Sequence, residues 1–310
     1  MKKQNNKNIT IRNKNRFTEG LFGQGFLWLI EVLPHIESLN INPKQIKWDI
    51  DTTSYGQLFP NFIEDYHDFE DTDEVIFLED LRGDDELYVL GDDFEAISVL
   101  FNKYFKIPSK FTDYAKQQDL QGYLGFHLRG TDKFTDARMN TPISITGQIE
   151  VIREYVDLHK IQNMFVCTDE PPIIDILKTN LPDVNIKHNS KNTTQIFWKN
   201  NAEPYNNGYD AMNDMMCLAE CKTIVKTSSA LSSIPKLLNP NVEIYRLNAC
   251  KKFVDIPYWP DAYVKKLTID DGFSDNVKSI LQNSFLNDWT QHPDPCWVEK
   301  FKNFSYKKRF

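Results

Sequence analysis

The chain is poor in the features that would assign it to a simple class. Its 310 residues contain five cysteines, Cys167, Cys217, Cys221, Cys250 and Cys296, without the paired spacing of a disulfide framework. Cys217 and Cys221 stand one helical turn apart with no second Cys pair or His beside them, so they read as buried thiols in a reducing compartment. No run of 18 or more apolar residues occurs, so no membrane-spanning helix is expected. The opening MKKQNNKNITIRNKNRFT is basic but lacks the apolar stretch of a signal peptide, and a cytoplasmic location is the expectation. Positive charge is also scarce: 36 Lys and Arg face 44 Asp and Glu, a net charge of −8. That excludes a general nucleic-acid binder, which needs a basic surface, but not a nucleotide held by a few placed cations. No internal repeat is visible.

What is present is a globular composition, 41% hydrophobic and 13% aromatic, in a chain long enough for two cores. The pattern from residue 122 onward alternates short apolar strands with helices. Strands are expected at 122–129, 164–168, 184–187, 223–226 and 242–247. Helices are expected at 144–158, 173–179, 209–221, 230–238 and 273–285. Such alternation implies an α/β fold with a mainly parallel, doubly wound sheet. In the first half, strands are expected at 8–12, 45–50, 75–78 and 87–90, and a helix at 94–105 with Phe94, Ile97, Leu100, Phe101 and Tyr104 as its apolar stripe. Residues 107–120 read as a linker. The expected division is an acceptor-side domain over 1–115, a nucleotide-sugar domain over 116–270, and C-terminal helices over 271–310 that pack back on the first domain.

Three strand ends in the second half carry polar groups. The strand 122–129 ends in His127-Leu128-Arg129-Gly130-Thr131-Asp132-Lys133. Alternation puts His127 and Arg129 on one face, and Gly130 allows a sharp turn close to a ligand. An HxR alone is equally the end of a strand meeting a solvated turn. Asp169 follows the second strand, and Thr227, Ser228 and Ser229 follow the fourth. In a parallel sheet these ends share one edge, where ligands of open α/β sheets bind. A guanidinium and an ammonium aimed there suit a diphosphate. The two serines stand where a strand turns into the expected helix 230–238, as caps or as phosphate ligands. Asp214 lies in an apolar helix among Met212, Met215, Met216 and Leu218, either facing solvent or paired. Near the N-terminus, Gly20, Gly23 and Gly25 form a Gly-rich loop that opens a helix, an anion-binding arrangement or a packing one. Asp49 and Asp51 offer an Asp-x-Asp that could hold a divalent metal on a nucleotide diphosphate.

GFHLRGTDK resembles the HxRxxDK signature of the fucosyltransferase superfamily that includes the α1,6- and protein O-fucosyltransferases. Residues 164–172, MFVCTDEPP, resemble that family's apolar strand followed by Thr-Asp-Asp-Pro. Residues 214–229 resemble its third motif, an Asp, an apolar helix, a small strand and a Ser-Ser pair, and GLFGQGFLWL resembles its Gly-rich loop. The three later motifs occur in the family's order across residues 120–240. The chain departs from the pattern where some relatives carry a second Arg in place of Gly130, and where Glu170 replaces the second Asp. The resemblance implies a GT-B architecture of two Rossmann-like domains facing a cleft. It also implies inverting, metal-independent transfer of fucose from GDP-fucose to a glycan or protein hydroxyl, with no cofactor. On that pattern Arg129 binds the β-phosphate, with His127, Asp132 and Lys133 beside it. Asp169 and Asp214 contact the guanosine, Thr227, Ser228 and Ser229 meet phosphate oxygens, and Gly23 and Gln24 approach from the first domain. Glu19, beside the Gly-rich loop, is the candidate base, with Asp51 second. Other nucleotide sugars, a metal-dependent transferase built on Asp49 and Asp51, and a silent nucleotide- or glycan-binding module stay open.

Overall fold

The computed structural model describes residues 7–15, 21–52, 55–82, 93–129, 143–170, 172–189, 204–247, 252–253, 256–257 and 263–284. The chain forms two compact units. One comprises Met1–Tyr114, Phe197–Met212 and Lys302–Phe310; the other comprises Ala115–Ile196 and Asn213–Phe301.

The first unit holds a three-stranded parallel sheet. Strand β1 (Ile9–Arg12) lies between β2 (Ile46–Asp49) and a third strand, Glu74–Phe77. A short antiparallel hairpin, β3 (Asp51–Thr52) and β4 (Gly56–Gln57), follows β2, and Glu74–Phe77 is numbered β5. Helix α1 (Leu27–Ser38) is apolar nearly all round and buries Leu27, Leu29, Ile30, Val32, Leu33 and Ile36, the signature of a helix enclosed by its domain. Helices α2 (Leu78–Arg82) and α3 (Phe94–Tyr104) follow. The Asp93 side chain caps α3 by accepting from the Ala96 N–H at 3.0 Å. The core here is largely aromatic: Trp48 meets Phe105 edge-on at 5.0 Å between centroids, and Phe105 meets Phe101 at 5.3 Å.

Two expectations change in this half. The Gly-rich stretch is not a loop, because Leu21–Phe26 already forms a π-helical turn that runs into α1. The expected linker contains helix α4 (Ser109–Gln117). Phe111 and Ala115, one turn apart, form its fully buried side, so the polar residues between them are the outer face of a helix. The expected strand at 87–90 lies outside the described residues.

The second unit is built on six strands: β6 (Leu124–Leu128), β7 (Asn163–Thr168), β8 (Asn185–His188), β9 (Thr223–Lys226), β10 (Glu243–Arg246) and a last strand, Lys265–Lys266. A small antiparallel pair, β11 (Lys252–Phe253) and β12 (Ile256–Pro257), precedes the last strand, numbered β13. All neighbours in the sheet are parallel, in the spatial order β13-β10-β9-β6-β7-β8. The chain therefore starts in the middle at β6, steps outward through β7 to β8, crosses back to β9, and steps outward the other way. This is the doubly wound order, and its direction reverses between β6 and β9.

The connecting helices α5 (Ile145–His159), α6 (Pro172–Asn180), α7 (Pro204–Glu220), α8 (Pro235–Leu238) and α9 (Asp275–Ser284) complete the unit, although Pro204–Met212 of α7 belongs to the first. Strand alternation divides the core. Leu124, Phe126 and Leu128 point to one face, where they pack with Val151 and Ile152 of α5, Ile173 and Leu177 of α6, and Val277 and Leu281 of α9. Helix α9, expected to return with residues 271–310 to the first domain, thus has its buried side in this second core. Gly125 points to the opposite face, where a Cβ would stand 2.9 Å from Leu218 of α7 and 3.3 Å from Cys221. No described helix is long and apolar enough to cross a membrane.

Candidate functional site

The site is built where the sheet reverses. His127 of β6 and Lys226 of β9 are register partners, so their side chains leave the same face side by side. Thr227 ties the strands together beyond the ladder: its N–H donates to the His127 carbonyl at 3.1 Å, and its hydroxyl accepts from the Arg129 N–H at 3.1 Å. Thr227 is buried, so these bonds make it a clamp between strand ends.

Alternation brings Arg129 and Asp169 out on the face that carries His127 and Cys167. The Arg129 Nε lies 3.8 Å from an Asp169 carboxylate oxygen, and both side chains are partly exposed. Asp169 is thus the guanidinium's neighbour at this strand end. Asp214 of α7 sits farther along the same face. It accepts from the Cys167 thiol at 3.3 Å and from the Asn189 amide at 3.0 Å. The alternative of a solvent-facing carboxylate gives way to a paired one. Burial and the Asp214 carboxylate push the Cys167 thiol well above its usual range, and burial raises Cys217 to about 12. Neither is a thiolate nucleophile at neutral pH.

Behind this front lies a buried polar layer. The Lys226 side chain is wholly buried, and its ammonium donates to the Ser233 hydroxyl at 2.6 Å. The His127 Nδ1 lies 2.6 Å from the Ser232 Oγ. Burial, then the charges of Lys226 and Arg129, hold His127 well below the ordinary imidazole range, so it is neutral. Ser228 and Ser229 are buried as well, but they do not cap a long helix. The segment after them is a turn, and helix forms only at Pro235–Leu238, with no side-chain cap. The Ser232 and Ser233 hydroxyls bond back to the Ser229 carbonyl at 3.4 and 3.2 Å, competing with helix. Pro235 then starts the helix where its missing N–H does no harm.

The expected residues thus fall into two sets. His127, Arg129, Asp169, Asp214, Thr227, Ser228 and Ser229 all belong to the carboxyl side of one sheet, in one unit. Glu19, Asp132 and Lys133 lie outside the described residues, as does the Gln24 side chain, and Gly23 sits in the first unit's π-helical turn. Asp49 of the Asp-x-Asp accepts from Arg12 Nε at 2.7 Å, an ordinary ion pair. Among the described residues no group of three His, Cys, Asp or Glu side chains could hold a metal ion. Lys226, Ser232, Ser233 and Asn189 join the site from positions that the sequence alone did not mark as functional. A lysine closing the apolar run Ile224-Val225 was a usable signal, since a strand buried on both faces leaves its side chain no route to water.

No protein-family profile matches the chain, and no curated protein does. Solved structures do. The chain is similar to fucosyltransferase NodZ from Bradyrhizobium, at 16% identity over 77% of this chain and 95% of that one, with a TM-score of 0.47. It is similar to NodZ alpha-1,6-fucosyltransferase soaked with GDP-fucose at 17% identity, over 77% and 95% of the two chains, with a TM-score of 0.47. It is also similar to POFUT1 in complex with GDP-fucose, at 12% identity over 77% and 97% of the two chains, with a TM-score of 0.44.

Proposed function

We propose that this chain is a glycosyltransferase that takes GDP-fucose and transfers fucose, with inversion and without a metal, to a hydroxyl of a glycan or protein. The observation that carries the reading is the convergence of Arg129, Asp169 and Thr227–Ser229 on the reversal point of a doubly wound sheet. Nucleotides bind such a sheet at that point. The order of the three motifs supports the guanine nucleotide and the fucose.

In this mechanism the acceptor oxygen attacks the anomeric carbon as its bond to the diphosphate breaks. Positive charge grows on the sugar and negative charge on the leaving oxygen. Arg129 meets the diphosphate, so its attraction strengthens as that charge develops, which lowers the barrier and not only the ground state. Asp169 holds the guanidinium at the site before the donor arrives, and Asp214 and Asn189 receive the nucleoside. Glu19 is the proposed base. His127, buried and neutral beneath the front, orients the site and does not take the acceptor proton.

The test is turnover with a donor panel of GDP-fucose, GDP-mannose and UDP-glucose, in excess EDTA, over glycan and hydroxyl-peptide acceptors. Nucleotide release with GDP-fucose that survives the chelator is the expected result. Release only with UDP-glucose, or only with added Mn²⁺, overturns the donor or the metal-independent step. Binding of GDP without turnover on any acceptor overturns the enzyme in favour of a binding module.

A further inference from the structure

Beneath the reversal point five groups form one chain of contacts. Lys226 Nζ donates to Ser233 Oγ at 2.6 Å, and Ser233 Oγ donates to the Ser229 carbonyl at 3.2 Å. The same carbonyl takes the Ser232 hydroxyl at 3.4 Å, and Ser232 Oγ lies 2.6 Å from His127 Nδ1. An ammonium has only donors, so Ser233 must accept from it and keeps its own proton for Ser229. The His127–Ser232 contact joins β6 to the same turn, whichever of the two atoms carries the proton between them. Lys226, Ser232 and Ser233 are all at 0% exposure, so none of them meets a ligand directly. Both strands of the reversal point thus grip one carbonyl of the turn that carries Ser228 and Ser229.

We propose that Lys226, Ser232 and Ser233 are positioning residues for the diphosphate: they fix the Ser228–Ser229 turn, so the site is formed before the nucleotide arrives. The inference rests on the reading that a nucleoside diphosphate binds here, and it adds residues that no motif names. A buried, charged donor is costly to keep without a well-made partner. A layer of this kind beneath a ligand-facing turn removes the ordering cost that a loose turn would impose on binding. The Lys226 charge, buried a few residues from the turn, also favours an anion over a neutral nucleoside.

The experiment is calorimetric titration of wild type, Ser232→Ala/Ser233→Ala and Lys226→Met with GDP and, separately, with guanosine. Folding of each variant is checked by its circular dichroism and melting curve. The double serine variant is expected to lose about 10- to 100-fold in GDP affinity, the size of a hydrogen bond to a charged group, and to keep its guanosine affinity within about twofold. Lys226→Met should show the same selective loss; if it does not fold, the serine variant decides alone. Equal losses for GDP and guanosine, or an unchanged GDP affinity, would reduce the layer to ordinary scaffolding and overturn the proposal. A wild type that binds neither GDP nor guanosine overturns the functional reading, and this inference with it.

Discussion

The two units use the same strand-and-helix grammar to different ends, and two glycines, Gly23 and Gly125, show the contrast. The first unit's Gly23 attracts notice in the sequence because it sits in a Gly-rich stretch before a helix. In the structure a Cβ at Gly23 would meet nothing within 4 Å, and the stretch is already helical. The second unit's Gly125 stands alone inside an apolar strand, yet a Cβ there would crowd Leu218, Cys221 and Ile224. Of these two glycines, Gly125 is the one whose missing side chain lets α7 press on β6, beside the site. The cores differ in the same sense. The first is aromatic around Trp48, Phe101 and Phe105, while the second is mostly aliphatic and takes in Lys226, His127 and Arg246 as buried polar groups. Buried cations are expensive unless well partnered: Lys226 is held by the Ser233 hydroxyl and Arg246 by the Val264 carbonyl.

The largest effect expected from this contrast is at Arg129. Arg129→Ala should lower turnover with GDP-fucose by about 100- to 1000-fold, the loss typical of one preplaced group facing developing negative charge. Arg129→Lys should not restore it, because an ammonium cannot reproduce a planar two-pronged contact. Steady-state nucleotide release measures both. Next, Gly125→Ala should destabilise the protein by about 1–3 kcal/mol through overpacking, whereas Gly23→Ala should stay within about 0.5 kcal/mol of wild type. Urea unfolding compares the two, and equal effects would remove the distinction between the units.

A subtler effect is on pH. His127 has a folded-state pKa below its ordinary 6.5, so the unfolded state binds more protons on the acid side. Its contribution to stability is therefore complete above about pH 6.5. It declines as pH falls toward the folded value. Unfolding free energy should drop between pH 7.5 and 5, and His127→Gln should flatten that drop. The smallest effect concerns Cys167, Cys217 and Cys221, which are buried with raised pKa values. They should react with a thiol reagent at pH 8 only after denaturant is added.

Legibility followed the range of the interactions involved. Strand β6 was legible in the sequence because Tyr123, Leu124, Phe126 and Leu128 are apolar or aromatic with no Asp, Glu, Lys or Arg among residues 123–128, and β7 was legible from Met164-Phe165-Val166. The strand order was not, since pairing across a sheet joins residues that no local pattern connects: Leu124 meets both Met164 and Thr223. Helix α4 was hidden by the polar residues around Phe111 and Ala115 and by Pro108 just before them. The helix expected over 230–238 shrank because Ser232 and Ser233 spend their hydroxyls on the Ser229 carbonyl, a choice that depends on Lys226 and His127 lying beneath. The alignment of Arg129 with Asp169 follows from simple alternation on neighbouring strands and was within reach of the sequence. The partner of the buried Lys226, the Ser233 hydroxyl of the turn above it, was not, because it depends on how that turn folds.

The most direct test of the central claim, that the reversal point between β6 and β9 binds a nucleoside diphosphate, is titration of wild type and Arg129→Ala with GDP and UDP in the absence of metal. Saturable binding of GDP by the wild type, little or none of UDP, and at least a tenfold loss on removing Arg129 is the predicted result. Failure to bind GDP, or equal binding by Arg129→Ala, would contradict it.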